Sequence, residues 1–172
     1  MRRALCLLIT MIVGAAAMAQ RAQDFASRFM KEHSNDTTIQ CVTVSPKMME
    51  QLANSFDESR NATLRLAIGK LKSARIVTAA ENYFDDAEEL LRQNAARFTF
   101  EKGYTRGQQH GAFYERKNRK GNTVELIMLH ADNRLGRLTI INLTGNLDKD
   151  FISSLMHSFN WQDTITETST MN

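Results

Sequence analysis

The sequence predicts an α+β domain of two layers, a mixed sheet that ends in an antiparallel meander and carries its helices on one face. Three observations lead there. Apolar residues alternate between helical and strand spacing up to Phe98, recur every second residue from there to Thr144, and return to helical spacing near the end. The chain has a single proline and neither a linker nor an internal repeat, so one domain is expected.

Residues 1–19 read as a secretory signal peptide. Arg2 and Arg3 make a basic start, Ala4 to Ala17 an apolar stretch, and Ala17-Met18-Ala19 a small-x-small site cut between Ala19 and Gln20. That stretch is shorter than the roughly 20 apolar residues of a spanning helix. The expectation is export, to the periplasm or beyond, with a single domain over 20–163 and a disordered polar tail over 164–172.

Ala22, Phe25, Ala26 and Phe29 recur at helical spacing and predict an amphipathic helix over 22–32. Thr38 to Val44 is rich in β-branched residues and reads as a strand. Ser45-Pro46 then supplies a capping hydroxyl and a first-turn proline for a helix to about Phe56, burying Met48, Met49, Leu52 and Phe56. After a polar break at Asp57 to Asn61, Leu64, Ala67, Ile68 and Leu71 predict a short helix that runs into a strand over Ala74 to Ala79.

The clearest helix places Phe84, Ala87, Leu91, Asn94, Ala95 and Phe98 on one stripe. Asp85, Asp86, Glu88 and Glu89 lie in its first turns and Arg92 and Arg97 near its end, as the helix dipole favours. Strands follow at about Thr99 to Tyr104, Gly111 to Lys117, Asn122 to His130 and Gly136 to Thr144, joined by short polar connections. Val124 to Leu129 and Leu138 to Leu143 are nearly all apolar and belong at the centre. Gly111 to Lys117 ends in charge and is placed closer to an edge. A last helix over Leu147 to Phe159 presents Phe151, Ile152, Leu155 and Phe159.

Charge argues against nucleic acid. Arg2 and Arg3 are two of the 22 basic residues, so the chain from Gln20 carries 20 against 19 acidic ones, a formal charge of +1, and the signs are interleaved. Cys41 is the one cysteine left after cleavage, which excludes an internal disulfide. Alternation along the strand makes it a small buried residue, with an intermolecular bridge or a nucleophile as the other readings.

Reaction signatures are missing. The carboxylates at 85, 86, 88 and 89 fan around a helix and cannot converge on one ion. His33, His110, His130 and His157 have no companion at zinc-ligand spacing, and no nucleophile elbow, dinucleotide fingerprint or phosphate loop occurs. No catalytic residue, metal or cofactor is assigned. Arg116, Lys117, Arg119 and Lys120 form a basic hairpin tip, held about 25 to 30 Å from Arg134 and Arg137 by the strand between them. Arg119 and Lys120 are the candidate contact residues there.

The chain resembles a Bacteroidetes family of small exported proteins of unknown function. The likeness lies in the opening helix with Phe25 and Phe29, Cys41-Val42-Thr43-Val44-Ser45-Pro46-Lys47-Met48-Met49, Leu71-Lys72-Ser73-Ala74-Arg75-Ile76-Val77, Val124-Glu125-Leu126-Ile127-Met128-Leu129 and Leu143-Thr144-Gly145-Asn146-Leu147-Asp148. The family turn is Gly-Asp-Ile-Asp, and Asn146 stands here for its first acid. The resemblance implies export and one domain, with no activity attached. Asp36-Thr37-Thr38 and Asp163-Thr164-Ile165 are similar to sites at which such bacteria attach O-linked sugars, so Thr37 and Thr164 are candidates for modification.

The expected function is therefore a non-enzymatic binding or interaction module of the envelope, contacting an envelope protein or ligand through its sheet face or hairpin loops. The alternative is a small hydrolase or thiol enzyme with a dispersed site of Cys41, His110 and His130.

Overall fold

The computed structural model describes residues 23–55, 65–66 and 68–158. In chain order the elements are α1 (Phe25–Glu32), β1 (Gln40–Val44), α2 (Pro46–Ser55), β2 (Leu71–Ala79), α3 (Phe84–Arg92), β3 (Thr99–Arg106), β4 (Gln109–Lys117), β5 (Thr123–Asp132), β6 (Arg137–Leu147) and α4 (Lys149–Ser158). The six strands form one open sheet in the order β1-β2-β6-β5-β4-β3. The fold is α+β.

Two details of the sheet differ from the expectation. Every strand pair is antiparallel, so the sheet is not mixed: the connection that contains α2 leaves and re-enters at the same end, which brings β2 back against β1 in the opposite sense. Helices also lie on both faces. Alternate residues of β4, β5 and β6 enter two separate cores, and α4 covers the face opposite α1 and α3. On one face Phe25, Phe29, Phe84 and Leu91 pack on Val77, Ala112, Ile127, Leu129 and Ile140. On the other, Phe151 and Ile152 pack on Phe113, Leu126, Met128 and Leu143. Strands β5 and β6 carry apolar residues on both faces because both faces are covered.

Capping follows the sequence closely. The Ser45 hydroxyl accepts from the Met48 N–H at 3.3 Å ahead of Pro46, and Asp148 accepts from the Phe151 N–H at 2.9 Å at the start of α4. Met49 is buried while Met48 is 47% exposed, so α2 turns only one of the two inward. Helix α3 stops at Arg92, and the chain reaches buried Phe98 through turns that leave Ala95 at the surface. The side chains of Leu52 and Leu155, together with Phe56, Asp57 to Asn61, Leu64, Ala67 and Phe159, lie outside the described residues.

A buried polar cluster ties α1 to the sheet. Glu125 is 0% exposed, and its Oε1 accepts the Phe25 N–H at 2.7 Å and the Asn142 Nδ2–H at 3.1 Å, while Arg116 Nε donates to Oε2 at 2.7 Å. Asn142 Oδ1 accepts the Ala26 N–H at 2.9 Å, and Asp24 caps Ser27 at 2.9 Å. Both orphan donors and the carboxylate are satisfied together, which is what makes burying them tolerable.

Candidate binding surface

The two edges of the sheet are built differently. Strand β3 carries Glu101, Lys102 and Arg106, and its pairing with β4 breaks register between Phe100 and Lys102. Charge and a bulge both discourage a further strand from pairing there. Strand β1, Gln-Cys-Val-Thr-Val, has no charge and no proline, and its five residues pair with β2 in unbroken register.

Side chains sharpen the contrast. Phe113, Met128, Ile141, Ile76 and Val42 stand directly opposite one another from β4 to β1, and so form one row across the face that α4 partly covers. Exposure rises along that row, from 0% at Phe113 and 5% at Met128 to 38% at Ile76 and 58% at Val42. At its other end the row meets Lys102, the cross-strand partner of Phe113. An apolar row thus ends in an ammonium at one edge and in an uncovered valine at the other.

Cys41 corrects an expectation. It stands opposite Val77 on the face that carries α1 and α3, yet the thiol is exposed. The two helices pack chiefly over β2, β6 and β5, and β1 is left exposed from Gln40 to Thr43. Ile39, just before the strand, is the last residue of this segment to enter the core. Strand alternation tells which face a residue takes and not how far the covering layer extends.

The dispersed site of Cys41, His110 and His130 is not assembled. Cys41 is three strands from His130, about 14 Å at the usual inter-strand spacing. The two histidines lie on opposite faces because His130 stands across from Gly111, while His110 pairs with Ala131. His110 packs edge-on against Phe84, with centroids 4.4 Å apart. Nδ1 of His130 is hydrogen-bonded to the Tyr104 hydroxyl, and burial holds this histidine below its ordinary pKa. Tyr104 spans β4 above Gly111, where a Cβ would sit 2.2 Å from the Tyr104 ring and 2.3 Å from the Leu129 carbonyl oxygen. Glycine is needed there for the ring to lie flat.

The remaining candidates have structural roles. Glu88 accepts from the Tyr114 hydroxyl at 2.7 Å, Glu89 pairs with Arg92, and Asp85 and Asp86 are exposed, so the helix carboxylates diverge. Among the described residues no group of three His, Cys, Asp or Glu is placed to hold a metal ion. Two of the four basic tip residues are paired internally, Arg116 with Glu125 and Lys117 with Glu115. Burial pushes the Glu115 carboxyl up, but hydrogen bonds from Lys117 and Thr123 outweigh it and hold the group low. Arg119 and Lys120 are exposed on a turn organised by Asn118, whose Oδ1 accepts the Lys120 N–H at 2.9 Å.

Thr37 is exposed, beside an Asp36 whose carboxylate accepts the Tyr83 hydroxyl at 2.7 Å and the Thr38 N–H at 2.8 Å. The Asp36 contact pushes the Tyr83 pKa up to about 12. Ala19, Gln20, Thr164, the 164–172 tail and the His157 side chain lie outside the described residues. The clefts among the described residues include an open one of about 610 Å³ beside α2 between Met49, Glu50, Arg65 and Lys70, and an open one of about 260 Å³ between Leu91, Phe100 and Tyr114. Among the described residues no helix is long and apolar enough to cross a membrane.

These features define an open antiparallel α+β sheet with one guarded and one unguarded edge. The sequence matches no family model, and no curated protein matches it significantly. Among solved structures it is similar to a protein of unknown function from Pseudomonas aeruginosa, at 12% identity over 73% of this chain and 78% of that one, with a TM-score of 0.37.

Proposed function

We propose that this chain is a non-enzymatic binding module, exported to the periplasm or cell surface, that takes an extended segment of an envelope partner onto β1. The observation that carries the reading is the uncharged, regular β1 edge at which the apolar row ends in Val42. Strand addition would supply main-chain hydrogen bonds to β1 and a neighbour for Val42. Export rests on the residues 1–19 and on the resemblance to the Bacteroidetes family. Arg119 and Lys120 form a second contact element in this reading, at the tip of the β4–β5 hairpin, and Thr37 and Thr164 its sites of O-linked sugar.

Capture from envelope extract tests it, with three baits beginning at Gln20: the natural chain, Val42→Lys, and Arg119→Ser with Lys120→Ser. A partner lost only with Val42→Lys supports the edge. Loss only with the tip variant moves the surface to the hairpin, and a partner retained by all three overturns both. Mass spectrometry of the same native-host protein checks the mature start at Gln20 and glycans at Thr37 and Thr164.

A further inference from the structure

We infer that the strand taken up by β1 is that of a second copy, antiparallel about a two-fold axis through Val42. This rests on the reading of β1 as the contact surface and adds the identity of the occupant. A two-fold through Val42 sets Gln40 opposite Val44 of the second copy, Cys41 opposite Thr43 and Val42 opposite Val42, so all five residues of β1 find a partner. Moving the axis to Cys41 or Thr43 leaves one end of the strand unpaired. No charge meets a like charge, because the strand has none.

The side chains fit the same register. In this register Ile141, Ile76 and Val42 continue into Val42, Ile76 and Ile141 of the second copy as one cross-strand row. The residues it covers are the ones left 58% and 38% exposed in the single chain. Facing β-branched pairs are among the favourable contacts of a sheet.

Such a pairing also closes. Joining two sheets through β1 leaves only the two β3 edges free, and each carries the bulge and the charges that resist further pairing. The assembly stops at two, as an isologous interface should. Five residues a side is far fewer than the roughly 20 to 30 of a stable complex, so the dimer is weak and concentration-dependent.

Sedimentation velocity over a concentration series up to about 1 mM tests this with the chain from Gln20 carrying Cys41→Ser, so that no disulfide contributes. The sedimentation coefficient should rise with concentration, and adding Val42→Lys should hold it at the monomer value without changing the thermal unfolding midpoint. A second variant, Val42→Cys in the Cys41→Ser background, places two thiols directly opposite, about 4.5 to 5.5 Å apart at Cα and within disulfide range. Copper-phenanthroline, a mild oxidant, should cross-link it faster than Thr43→Cys in the same background. Monomer at every concentration, or equal association with and without Val42→Lys, overturns the second copy. If the chain stays monomeric while Val42→Lys still abolishes capture from envelope extract, the edge reading survives and only the occupant is wrong.

Discussion

Strands β1 and β3 are the two ends of one sheet, and each meets solvent in its own way. At β3 the register is broken, charges project, and Tyr104 reaches back across β4 to His130, so the edge is tied to the interior by a side chain as well as by its ladder. At β1 the ladder is regular and the outermost side chains, Cys41 and Val42, are exposed. An edge is thus made safe by particular residues, and where they are missing the same backbone is available to another strand.

The largest expected effect comes from breaking the guarded edge. Gly111→Ala drives a methyl into both the Tyr104 ring and the Leu129 carbonyl oxygen, and the backbone atom cannot move aside. A loss of about 3 kcal/mol is expected in denaturant unfolding. Tyr104→Phe keeps the ring and removes its bond to His130, and should cost about 1 kcal/mol in the same assay.

The same histidine sets a pH dependence. Burial lowers its folded pKa, so as pH falls the unfolded chain takes up the proton first. Stability from this source is complete above about 6.5, declines as pH falls through that value, and levels off below the folded value. The thermal midpoint of the natural chain should therefore fall between about pH 7 and pH 5, and His130→Asn should flatten that slope. Carboxylates held low, such as Asp36, Asp132 and Asp148, lose their contribution only in more acidic solution, so the two windows separate.

Smaller effects sharpen the contrast without breaking the fold. Lys102→Val should leave stability within about 0.5 kcal/mol while raising light scattering in concentrated solution, because it removes the charge that ends the apolar row. Val42→Lys should be equally mild in stability and act in the opposite sense on association. Arg119→Ser with Lys120→Ser should change the thermal midpoint least of all.

Much of this molecule could be read from residue order alone. The period change at Phe98, the Ser45-Pro46 start of α2 and the apolar runs of β5 and β6 gave element type and the two central strands, since each is a local signal. Strand order was out of reach, because pairing of β2 with β6 joins segments far apart in sequence. Glu125 stood in plain view inside the apolar run from Val124 to Leu129, a carboxylate where a central strand has no water for it. That was the one available hint that a helix N-terminus would dock there. The open edge left no such trace. Cys41 and Val42 fit a covered strand as well as a bare one, and only the reach of the helices on each face decides between them.

Cys41 also provides the most direct test of the asymmetry. In protein prepared from Gln20 onward it is the lone thiol, so a maleimide or disulfide reagent reads one site at the centre of β1. In dilute native protein the labelling rate should approach that of the chain in denaturant, and Cys41→Ser should change stability by no more than about 0.5 kcal/mol. A thiol that reacts slowly until denaturant is added would mean that β1 is covered, and would contradict the open edge.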